Sequence, residues 1–281
     1  MTDWSRRTWL ITGASMGFGR ALVEAVLERG GRVYAGSRDP AALKSLVGSY
    51  GERLTPVKLD ITDGDAVAAV VAEIEAAGGV DVLVNNAGYG LLGGVEESSE
   101  ADVRDQMEVN FFAAERLMRA VLPGMRARRS GFIVNISSVA GARAFGGSAY
   151  YAASKFALEG LSEGLALEGE PLGIRVMIVE PGPFDTGFMN VSRRQAAVHI
   201  PEWEVVEKRR AAETNRSTGF VFGDPARGVR AIIEAMESEA PPMRLALGGP
   251  AVKVLRDAYK RRAAELEAWA ELAASVDLPK A

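Results

Sequence analysis

The sequence predicts an α/β protein with a doubly wound parallel sheet. Three observations carry this prediction. Short apolar runs alternate with helical patterns through most of the chain, and most of these runs are rich in β-branched residues and apolar on both faces, as buried parallel strands are. A glycine-rich segment, TGASMGFG, follows the first run. We therefore expect right-handed crossovers that place helices on both faces of the sheet.

The predicted elements follow one another in a regular order. Strands are expected at residues 8–12, 32–37, 55–59, 82–85, 132–136 and 174–179, and helices at residues 19–29, 63–77, 100–126, 149–168, 225–238 and 251–274. A further apolar run covers residues 243–247. Asp39 and Asp224 each precede a proline, and this pair is typical of an N-cap followed by the first position of a helix.

Residues 181–223 interrupt the alternation. They are rich in Pro, Gly and Arg and contain no clear strand. A long irregular insertion in a compact domain is typical of a lid or binding loop, which we expect at about residues 183–223. No linker or internal repeat divides the sequence, so we predict a single domain over residues 1–281.

The composition narrows the possible functions. The chain of 281 residues has no cysteine, and its single histidine is His199, which excludes cysteine-ligated metals and sites with several histidine ligands. We therefore predict no metal site. The net charge of −4 and the lack of a long apolar segment argue against nucleic acid and membrane partners. The N-terminus lacks the pattern of a signal peptide, so we expect a cytoplasmic protein.

The segment between the first strand and the first helix is predicted to bind a phosphate group. Gly13, Gly17 and Gly19 let the backbone turn tightly and approach a pyrophosphate closely. The N-terminus of the following helix offers free N–H groups and a favourable dipole. A nucleotide is therefore the expected ligand.

The same residues permit another interpretation. Residues 13–17, GASMG, match the G-x-S-x-G turn of serine hydrolases, in which Ser15 would act with an aspartate and His199. That turn requires several sheet strands before it, whereas only one predicted strand precedes this one. Activity on esters without a nicotinamide cofactor, lost in Ser15→Ala, would favour the hydrolase.

Ser37 and Arg38 lie where the second strand is predicted to end, about 20 residues after the glycines. NAD-binding sites place an acidic residue there for the ribose hydroxyls, and this chain has none. Arg38 can pair with a 2′-phosphate or stack on adenine. The sequence therefore predicts NADP as the preferred cofactor, with NAD as the alternative. No basic residue occupies the glycine loop at Met16, so Arg38 carries this preference, with Arg20 as a candidate helper.

Tyr151 and Lys155 are candidate catalytic residues, because they stand four apart in a predicted helix and so share one face. A free phenol has a pKa near 10 and transfers protons slowly at neutral pH. An ammonium group beside it in a partly desolvated cleft, together with the charge of a bound cofactor, is expected to lower that pKa by about 3 units. Tyr150 lacks such a partner, since Ser154 stands four residues after it.

Five motifs occur in one order along the chain: TGASMGFG at 12–19, NNAG at 85–88, NISS at 135–138, YAASK at 151–155 and PGPFDT at 181–186. Together they resemble the short-chain dehydrogenase/reductase family over about residues 5–190. The spacing TGxxxGxG is similar to that of the compact form, since the extended form has TGxxGxxG. The resemblance implies a Rossmann-like fold and an oxidoreductase that moves hydride between a nicotinamide and a carbonyl or alcohol carbon.

The resemblance also implies roles for individual residues. Tyr151 is the expected general acid/base, and Lys155 is expected to lower its pKa and hold the nicotinamide ribose. Ser138, rather than Ser137, is expected to bind the substrate oxygen, and Asn110 to hold a water of a proton relay. The residues implied to bind the cofactor are Gly13, Ser15, Met16, Gly17, Phe18, Gly19, Ser37, Arg38, Asp60, Ile61, Asn86, Ala87, Gly88, Tyr151, Lys155, Pro181, Gly182, Phe184 and Thr186.

Three of these cofactor residues have structural alternatives. Asn86 is a candidate for stabilising the sheet, Asp60 for capping a helix and Thr186 for capping the lid. The assignment of these three residues therefore stays open at this point.

The predicted walls of the substrate site are mostly apolar or aromatic. They are Tyr89, Leu91, Leu92, Ala144, Phe145, Gly146, Phe184, Phe188 and Met189, and the alternative for about half of them is a place in the core. This composition favours a hydrophobic ketone or secondary alcohol over a sugar or an acid. In the lid, His199 and the basic residues 208–210 are interpreted as solvated groups.

Family resemblance further implies a homodimer or homotetramer, formed by the predicted helices at about 100–126 and 149–168. The alternative function within the same fold is a cofactor-binding regulator that has no turnover. The presence of Ser138, Tyr151 and Lys155 argues against that alternative.

Overall fold

Seven parallel strands form the central sheet. A computed structural model describes residues 3–206, 208 and 221–278. Its strands are β1 (Thr8–Thr12), β2 (Arg32–Ser37), β3 (Leu54–Lys58), β4 (Val82–Asn85), β5 (Gly90–Leu92), β6 (Gly131–Ile136), β7 (Ile174–Pro181), β8 (Arg193–Gln195) and β9 (Arg244–Leu247). The sheet order is β3-β2-β1-β4-β6-β7-β9, which confirms the predicted doubly wound α/β fold.

The helices cover both faces of this sheet. They are α1 (Gly17–Glu28), α2 (Lys44–Tyr50), α3 (Gly64–Ala76), α4 (Glu100–Met107), α5 (Ala113–Arg128), α6 (Ala149–Gly169), α7 (Phe188–Val191), α8 (Pro225–Glu237) and α9 (Gly249–Ala274). One buried apolar cluster packs α1 and α8 on the sheet, and a second packs α3, α5 and α6 on the other face. This division follows from strands that are apolar on both sides.

Both predicted aspartate caps are confirmed. The Asp224 carboxylate accepts hydrogen bonds from the backbone N–H groups of Ala226 and Arg227, where α8 begins. Asp39 accepts one from Ala41, but a 3₁₀ turn at Pro40–Leu43 separates it from α2. The helix α2 was not among the predicted elements.

The predicted helix at 100–126 contains a π-helical turn. This turn, Glu108–Phe112, joins α4 to α5 and includes Asn110, which is only 2% exposed. A π turn accommodates an extra residue in the helix and is frequent at functional sites. Helical periodicity in the sequence does not distinguish such a turn from regular α-helix.

The segment predicted to lack a strand contains a short one. Strand β8 pairs in parallel with β5, joining Gly90 to Arg193 and Leu92 to Gln195, in a separate two-stranded sheet. A run of three residues, two of them arginine, carries no alternating apolar pattern, so its pairing depends on tertiary contacts. Residues 207 and 209–220 of the predicted lid lie outside the described residues.

The last helix extends from the sheet edge toward solvent. Helix α9 has 26 residues, and its part beyond Tyr259 is exposed, including the basic residues 260–262. Within residues 3–206, 208 and 221–278, we find no helix with an apolar stretch long enough to span a bilayer.

The chain changes direction across the sheet between β1 and β4. Both strands end at the same edge, where β1 leads into the glycine-rich turn and β4 into residues 86–88. In doubly wound sheets, ligands bind in the crevice at such a switch point, outside the carboxyl ends of the strands. The glycine-rich turn therefore lies where doubly wound sheets bind their ligands.

Candidate active site

Glycine is required at three positions in the turn after β1. Gly13 and Gly17 have φ angles of 63° and 56°, in the left-handed region that L side chains rarely adopt. At Gly19 an added Cβ would lie 2.2 Å from the Gly13 carbonyl oxygen, so the first turn of α1 passes against the backbone that leaves β1. This close passage brings the N-terminus of α1 to the crevice.

Thr12 and Asn86 join the two loops of the crevice. The Thr12 hydroxyl accepts hydrogen bonds from the backbone N–H groups of Asn86 (3.0 Å) and Ala87 (3.1 Å). The Asn86 amide donates to the carbonyls of Thr12 (2.9 Å) and Gly13 (3.2 Å). The structure therefore supports the alternative role of Asn86 as a residue that stabilises this edge of the sheet.

The residues at the end of β2 fit a cofactor that carries a phosphate. Ser37 is 5% exposed, and its hydroxyl has no hydrogen-bond partner among the described residues. Buried polar atoms usually have partners, so a ligand group is a suitable one here. The backbone N–H of Ala14 donates to the Gly36 carbonyl, which joins this strand end to the glycine-rich turn. Arg38 follows directly and is exposed.

Asp60 lies near Arg38 at the end of the neighbouring strand. Its carboxylate accepts hydrogen bonds from the N–H and hydroxyl of Thr62, and these bonds, with a smaller contribution from Arg38, lower the pKa of Asp60.

Arg20 reaches the loop after β2, where it donates to the Ala42 carbonyl at 3.1 Å. The Ile61 carbonyl accepts from Arg116 at 3.1 Å. Arg20 is thus already engaged with protein groups.

The first residues of the lid cover the glycine-rich turn. A Cβ at Gly17 would lie 3.0 Å from the Thr186 carbonyl oxygen, and one at Gly187 would lie 3.2 Å from the Met16 methyl group. The Thr186 hydroxyl accepts from the Phe188 backbone N–H at 3.3 Å, which agrees with its alternative role as a lid cap. Thr186 and Met16 therefore lie at one end of the crevice.

Phe184 occupies the core rather than the wall of a substrate site. It is 7% exposed, and its ring lies 4.8 Å from that of Phe18. The Gly182 backbone N–H donates to the Leu247 carbonyl at 3.0 Å, which fixes the end of β7 beside β9.

Tyr151, Ser138 and Lys155 converge at the start of α6. The Ser138 hydroxyl lies close enough to that of Tyr151 to lower the pKa of the phenol. The Lys155 ammonium lies 6.0 Å from the centre of the Tyr151 ring and donates to the Ile136 carbonyl at 2.8 Å. Tyr150 points elsewhere, with its hydroxyl 3.5 Å from the Val95 carbonyl oxygen. The structure thus separates the two adjacent tyrosines as the sequence spacing predicts.

The pKa of Tyr151 shifts in the direction opposite to the prediction. Burial raises it above its usual value, and the hydrogen bond with Ser138 and the charge of Arg193 only partly oppose this. Burial also lowers the pKa of Lys155 to about 8, against the influence of Glu159. Desolvation outweighs the neighbouring charges because both side chains lie in a poorly hydrated cleft. At neutral pH, Tyr151 is therefore a protonated phenol that can donate a proton.

Asn110 fixes the loop that follows β4. Its amide donates to the Tyr89 carbonyl (2.9 Å) and the Ser154 hydroxyl (3.1 Å), and its carbonyl accepts from the Tyr89 backbone N–H (3.0 Å). A Cβ at Gly88 would lie 3.0 Å from the Asn110 oxygen and 3.8 Å from the Lys155 nitrogen. Asn110, Gly88 and Lys155 are therefore close together.

Of the predicted substrate walls, Phe188 lies beside Tyr151. The Phe188 ring lies 6.1 Å from that of Tyr151, and Phe145 is partly exposed. Tyr89 and Leu91 are buried, and Leu92 is partly buried. The side chain of Met189 lies outside the described residues, as do Arg209 and Arg210.

The lid is fixed by two carboxylates that the sequence did not single out. Asp105 accepts hydrogen bonds from Arg194 of β8 and from the Tyr89 hydroxyl, the latter at 2.9 Å. Glu97 is 2% exposed and accepts from the Ile200 backbone N–H at 2.8 Å. The exposed His199 lies 3.8 Å from Glu97. Sequence reasoning also missed Thr12 and Ser154, because their roles are contacts with residues far along the chain.

A partly buried cluster of charged side chains includes Glu159, one turn after Lys155 on α6. Arg244 of β9 contacts Glu159 (3.0 Å) and Glu163 (2.6 Å), both on α6. Glu180 of β7 is 2% exposed, and one of its oxygens has no hydrogen-bond partner in the described part of the chain. Burial and the Glu159 charge raise the pKa of Glu180 to about 7, while Arg244 and the Tyr259 hydroxyl oppose this rise.

Glu180→Gln is expected to stabilise the protein at neutral and alkaline pH but not at acidic pH. The folded chain holds the Glu180 proton with a pKa of about 7, against 4.5 for an ordinary glutamate. Stability from the protonated carboxyl is therefore complete below the lower value and lost as pH rises toward the higher one. At pH 8 the variant should exceed the wild type by roughly 2 to 3 kcal/mol, and at pH 4 the difference should vanish. Urea unfolding at both pH values measures this, and a difference independent of pH would contradict it.

The fold and the crevice together define a class of protein: a Rossmann-like α/β protein with its ligand crevice at the β1–β4 switch point. The chain belongs to the short-chain dehydrogenase family, whose sequence model, described as short chain dehydrogenase, matches residues 7–197. Members of this family use nicotinamide cofactors and act on small substrates. The hydrolase alternative at Ser15 therefore has no support.

Relatives match nearly the whole chain. Oxidoreductase BOA17 of Botryotinia fuckeliana is 34% identical over 268 residues, which cover 95% of this chain and 97% of that protein. The 3-ketodihydrosphingosine reductase of Bacteroides thetaiotaomicron is 37% identical over 249 residues, with coverage of 88% and 89%. Human retinol dehydrogenase 8 is 38% identical over 251 residues, with coverage of 85% and 80%.

Solved structures agree with the fold. A short-chain dehydrogenase from Streptomyces avermitilis superposes with a TM-score of 0.90 at 43% identity, over 98% of this chain and all (100%) of that one. A short-chain dehydrogenase from Burkholderia cenocepacia, solved in complex with NADP, superposes with a TM-score of 0.73 at 29% identity, over 92% and 95% of the two chains. The predicted Rossmann-like fold is thereby confirmed.

Proposed function

We propose that this oxidoreductase prefers NADP and interconverts a hydrophobic ketone and its secondary alcohol. The observation that carries the proposal is the convergence of Tyr151, Ser138 and Lys155 beside the carboxyl edge of the sheet. A phenol, a hydroxyl and an ammonium group in one partly desolvated cleft suit proton transfer to a substrate oxygen.

In the proposed reaction the cofactor supplies the hydride, and the chain's residues handle the oxygen and its proton. The Ser138 hydroxyl orients the substrate oxygen next to the Tyr151 hydroxyl. In ketone reduction Tyr151 gives its proton to that oxygen, and its raised pKa keeps it protonated at neutral pH. The charge of Lys155 then stabilises the phenolate, and Asn110 provides the predicted route by which a water returns the proton.

The residues around the cleft support an apolar substrate. Phe188 offers aromatic surface beside Tyr151, and the partly exposed Phe145 is a further predicted wall residue. Two relatives are named for their substrates, a 3-ketodihydrosphingosine reductase and a retinol dehydrogenase. A hydrophobic carbonyl compound is therefore our proposed substrate class.

The end of β2 supports the proposed cofactor preference. Arg38 follows Ser37, whose buried hydroxyl has no partner within the residues described. The Asp60 carboxylate, at the end of the neighbouring strand, interacts with Arg38 itself. An exposed guanidinium can pair with a 2′-phosphate in a bidentate manner. The Burkholderia cenocepacia relative was solved with NADP.

A screen of carbonyl compounds tests this proposal. Aliphatic and aromatic ketones of increasing size are mixed with the enzyme and NADPH or NADH, and cofactor absorbance is followed. We expect turnover of apolar ketones that is about tenfold or more faster with NADPH at limiting cofactor. Arg38→Gln should lower this preference, with little effect on the NADH rate. A strong preference for NADH would refute the NADP assignment, and no turnover with any compound would favour the cofactor-binding regulator.

A further inference from the structure

Glu159 is a buried carboxylate that the proposed reaction does not use. It stands four residues after Lys155 on α6, so the two side chains share one face of the helix. Lys155 is 5% exposed and Glu159 is 6% exposed. A buried carboxylate is costly unless cations or hydrogen-bond donors surround it. The groups that compensate the buried charge of Glu159 therefore indicate what this residue does.

Arg244 fixes one of the two Glu159 oxygens. Its Nε lies 3.0 Å from Oε2 of Glu159, while its Nη2 lies 2.6 Å from Oε2 of Glu163. The two carboxylates differ in their environment, because the Glu163 side chain is 52% exposed and that of Glu159 only 8%. Arg244 thus holds a buried and an exposed carboxylate at the same time.

The other Glu159 oxygen faces the loop that carries the catalytic serine. Oε1 has no hydrogen-bond partner in the described residues, and neither has the Ser137 hydroxyl. A Cβ at Gly141 would lie 3.0 Å from Oε1 of Glu159 and 2.5 Å from the Ser137 oxygen. The side chain at 141 is absent, so Glu159 packs directly against residues 137–141, which include Ser138.

The charges around Glu159 come from four elements. Lys155 and Glu163 lie on α6, Glu180 on β7 and Arg244 on β9. Tyr259 on α9 also interacts with this group, and Arg262 in turn influences Tyr259. With Glu180 protonated, the positive charges of Lys155 and Arg244 equal in number the negative charges of Glu159 and Glu163. The Glu159 charge opposes the loss of the Lys155 proton that burial promotes.

We propose that Glu159, held by Arg244, is a positioning residue that keeps Lys155 charged on the Ile136 carbonyl. This inference rests on the proposed function, since the charge of Lys155 serves the reaction only if Tyr151 exchanges the proton. The competing explanation is purely structural: Glu159 joins α6 to β9 through Arg244. Glu163 provides the matched comparison, because it contacts the same guanidinium from the exposed side.

The test is the titration of Lys155 in the protein without substrate or cofactor. NMR of isotope-labelled lysine side chains follows the Nζ group, and the Lys155 signal is identified by its loss in Lys155→Met. We expect Glu159→Gln to lower the Lys155 titration midpoint by about one pH unit. Glu163→Gln should move it by less than about 0.3 pH unit, because its carboxylate is solvated. Unfolding transitions of both variants report any general loss of structure.

Equal shifts in the two variants, or an unchanged midpoint in Glu159→Gln, would overturn the inference. If Glu159→Gln does not fold, Arg244→Gln decides the matter. The proposal needs the Arg244 guanidinium to keep Glu159 in place and charged, so the Lys155 midpoint should fall in this variant as well, and an unchanged or raised midpoint overturns the proposal. The titration requires no turnover, so its result does not depend on the screen for activity. An unchanged Lys155 midpoint in Glu159→Gln contradicts the role of Glu159 but does not contradict the proposed function.

Discussion

Tyr151→Phe is expected to lower kcat/KM for the best ketone of the screen by a factor of about 10² to 10⁴, the usual contribution of a general acid. The substitution removes only the hydroxyl that Ser138 contacts. The ring keeps its contact with Phe188, at 6.1 Å, and its place beside Lys155. NADPH affinity, measured by titration calorimetry, should therefore change little while turnover is lost.

Tyr150→Phe is the matched control for this prediction. It removes the same atom from the adjacent residue, whose hydroxyl makes only a long 3.5 Å contact with the Val95 carbonyl. The control should retain the wild-type rate within about twofold, since a weak exposed contact contributes little. If Tyr151→Phe is as active as Tyr150→Phe, the proposed proton transfer is wrong.

Gly19→Ala should destabilise the protein by roughly 2 to 4 kcal/mol and weaken NADPH binding at least about tenfold. The new methyl group would lie 2.2 Å from the Gly13 carbonyl oxygen and 2.6 Å from the Asn86 amide nitrogen. One of these contacts is with backbone, so relief requires that the turn after β1 move away from α1. That movement also displaces the N–H groups that would hold a phosphate.

Gly48→Ala separates this effect from the general response to alanine. Gly48 lies within α2 and is exposed. Apart from its two neighbours and the backbone of its own helix, no atom of the described residues lies within 4 Å of an added Cβ. Alanine favours helix over glycine by about 0.5 to 1 kcal/mol, so this variant should be slightly more stable. Urea unfolding of both variants compares the two sites, and a stable Gly19→Ala protein with intact NADPH binding would contradict the close packing of the turn.

The pKa values of the cleft show why burial has to be known before reactivity is assigned. The spacing of Tyr151 and Lys155 identifies the pair, yet it suggests a phenol made more acidic by its neighbour. In the folded chain desolvation raises the pKa of Tyr151 and lowers that of Lys155. Glu159, which the sequence did not single out, partly restores the lysine charge. The charge state of the site thus depends on groups brought together by packing.

The sequence alone determined the features that depend on neighbouring residues. Apolar runs located the seven strands of the main sheet to within two residues at either end, the aspartate–proline pairs located two caps, and the i to i+4 spacing separated Tyr151 from Tyr150. Only the tertiary structure decided the π turn at Asn110, the pairing of β5 with β8, and the contact between Glu159 and Arg244, which are 85 residues apart. Periodicity and capping are local and leave a pattern in the chain, whereas these contacts arise only when distant segments pack and exclude water.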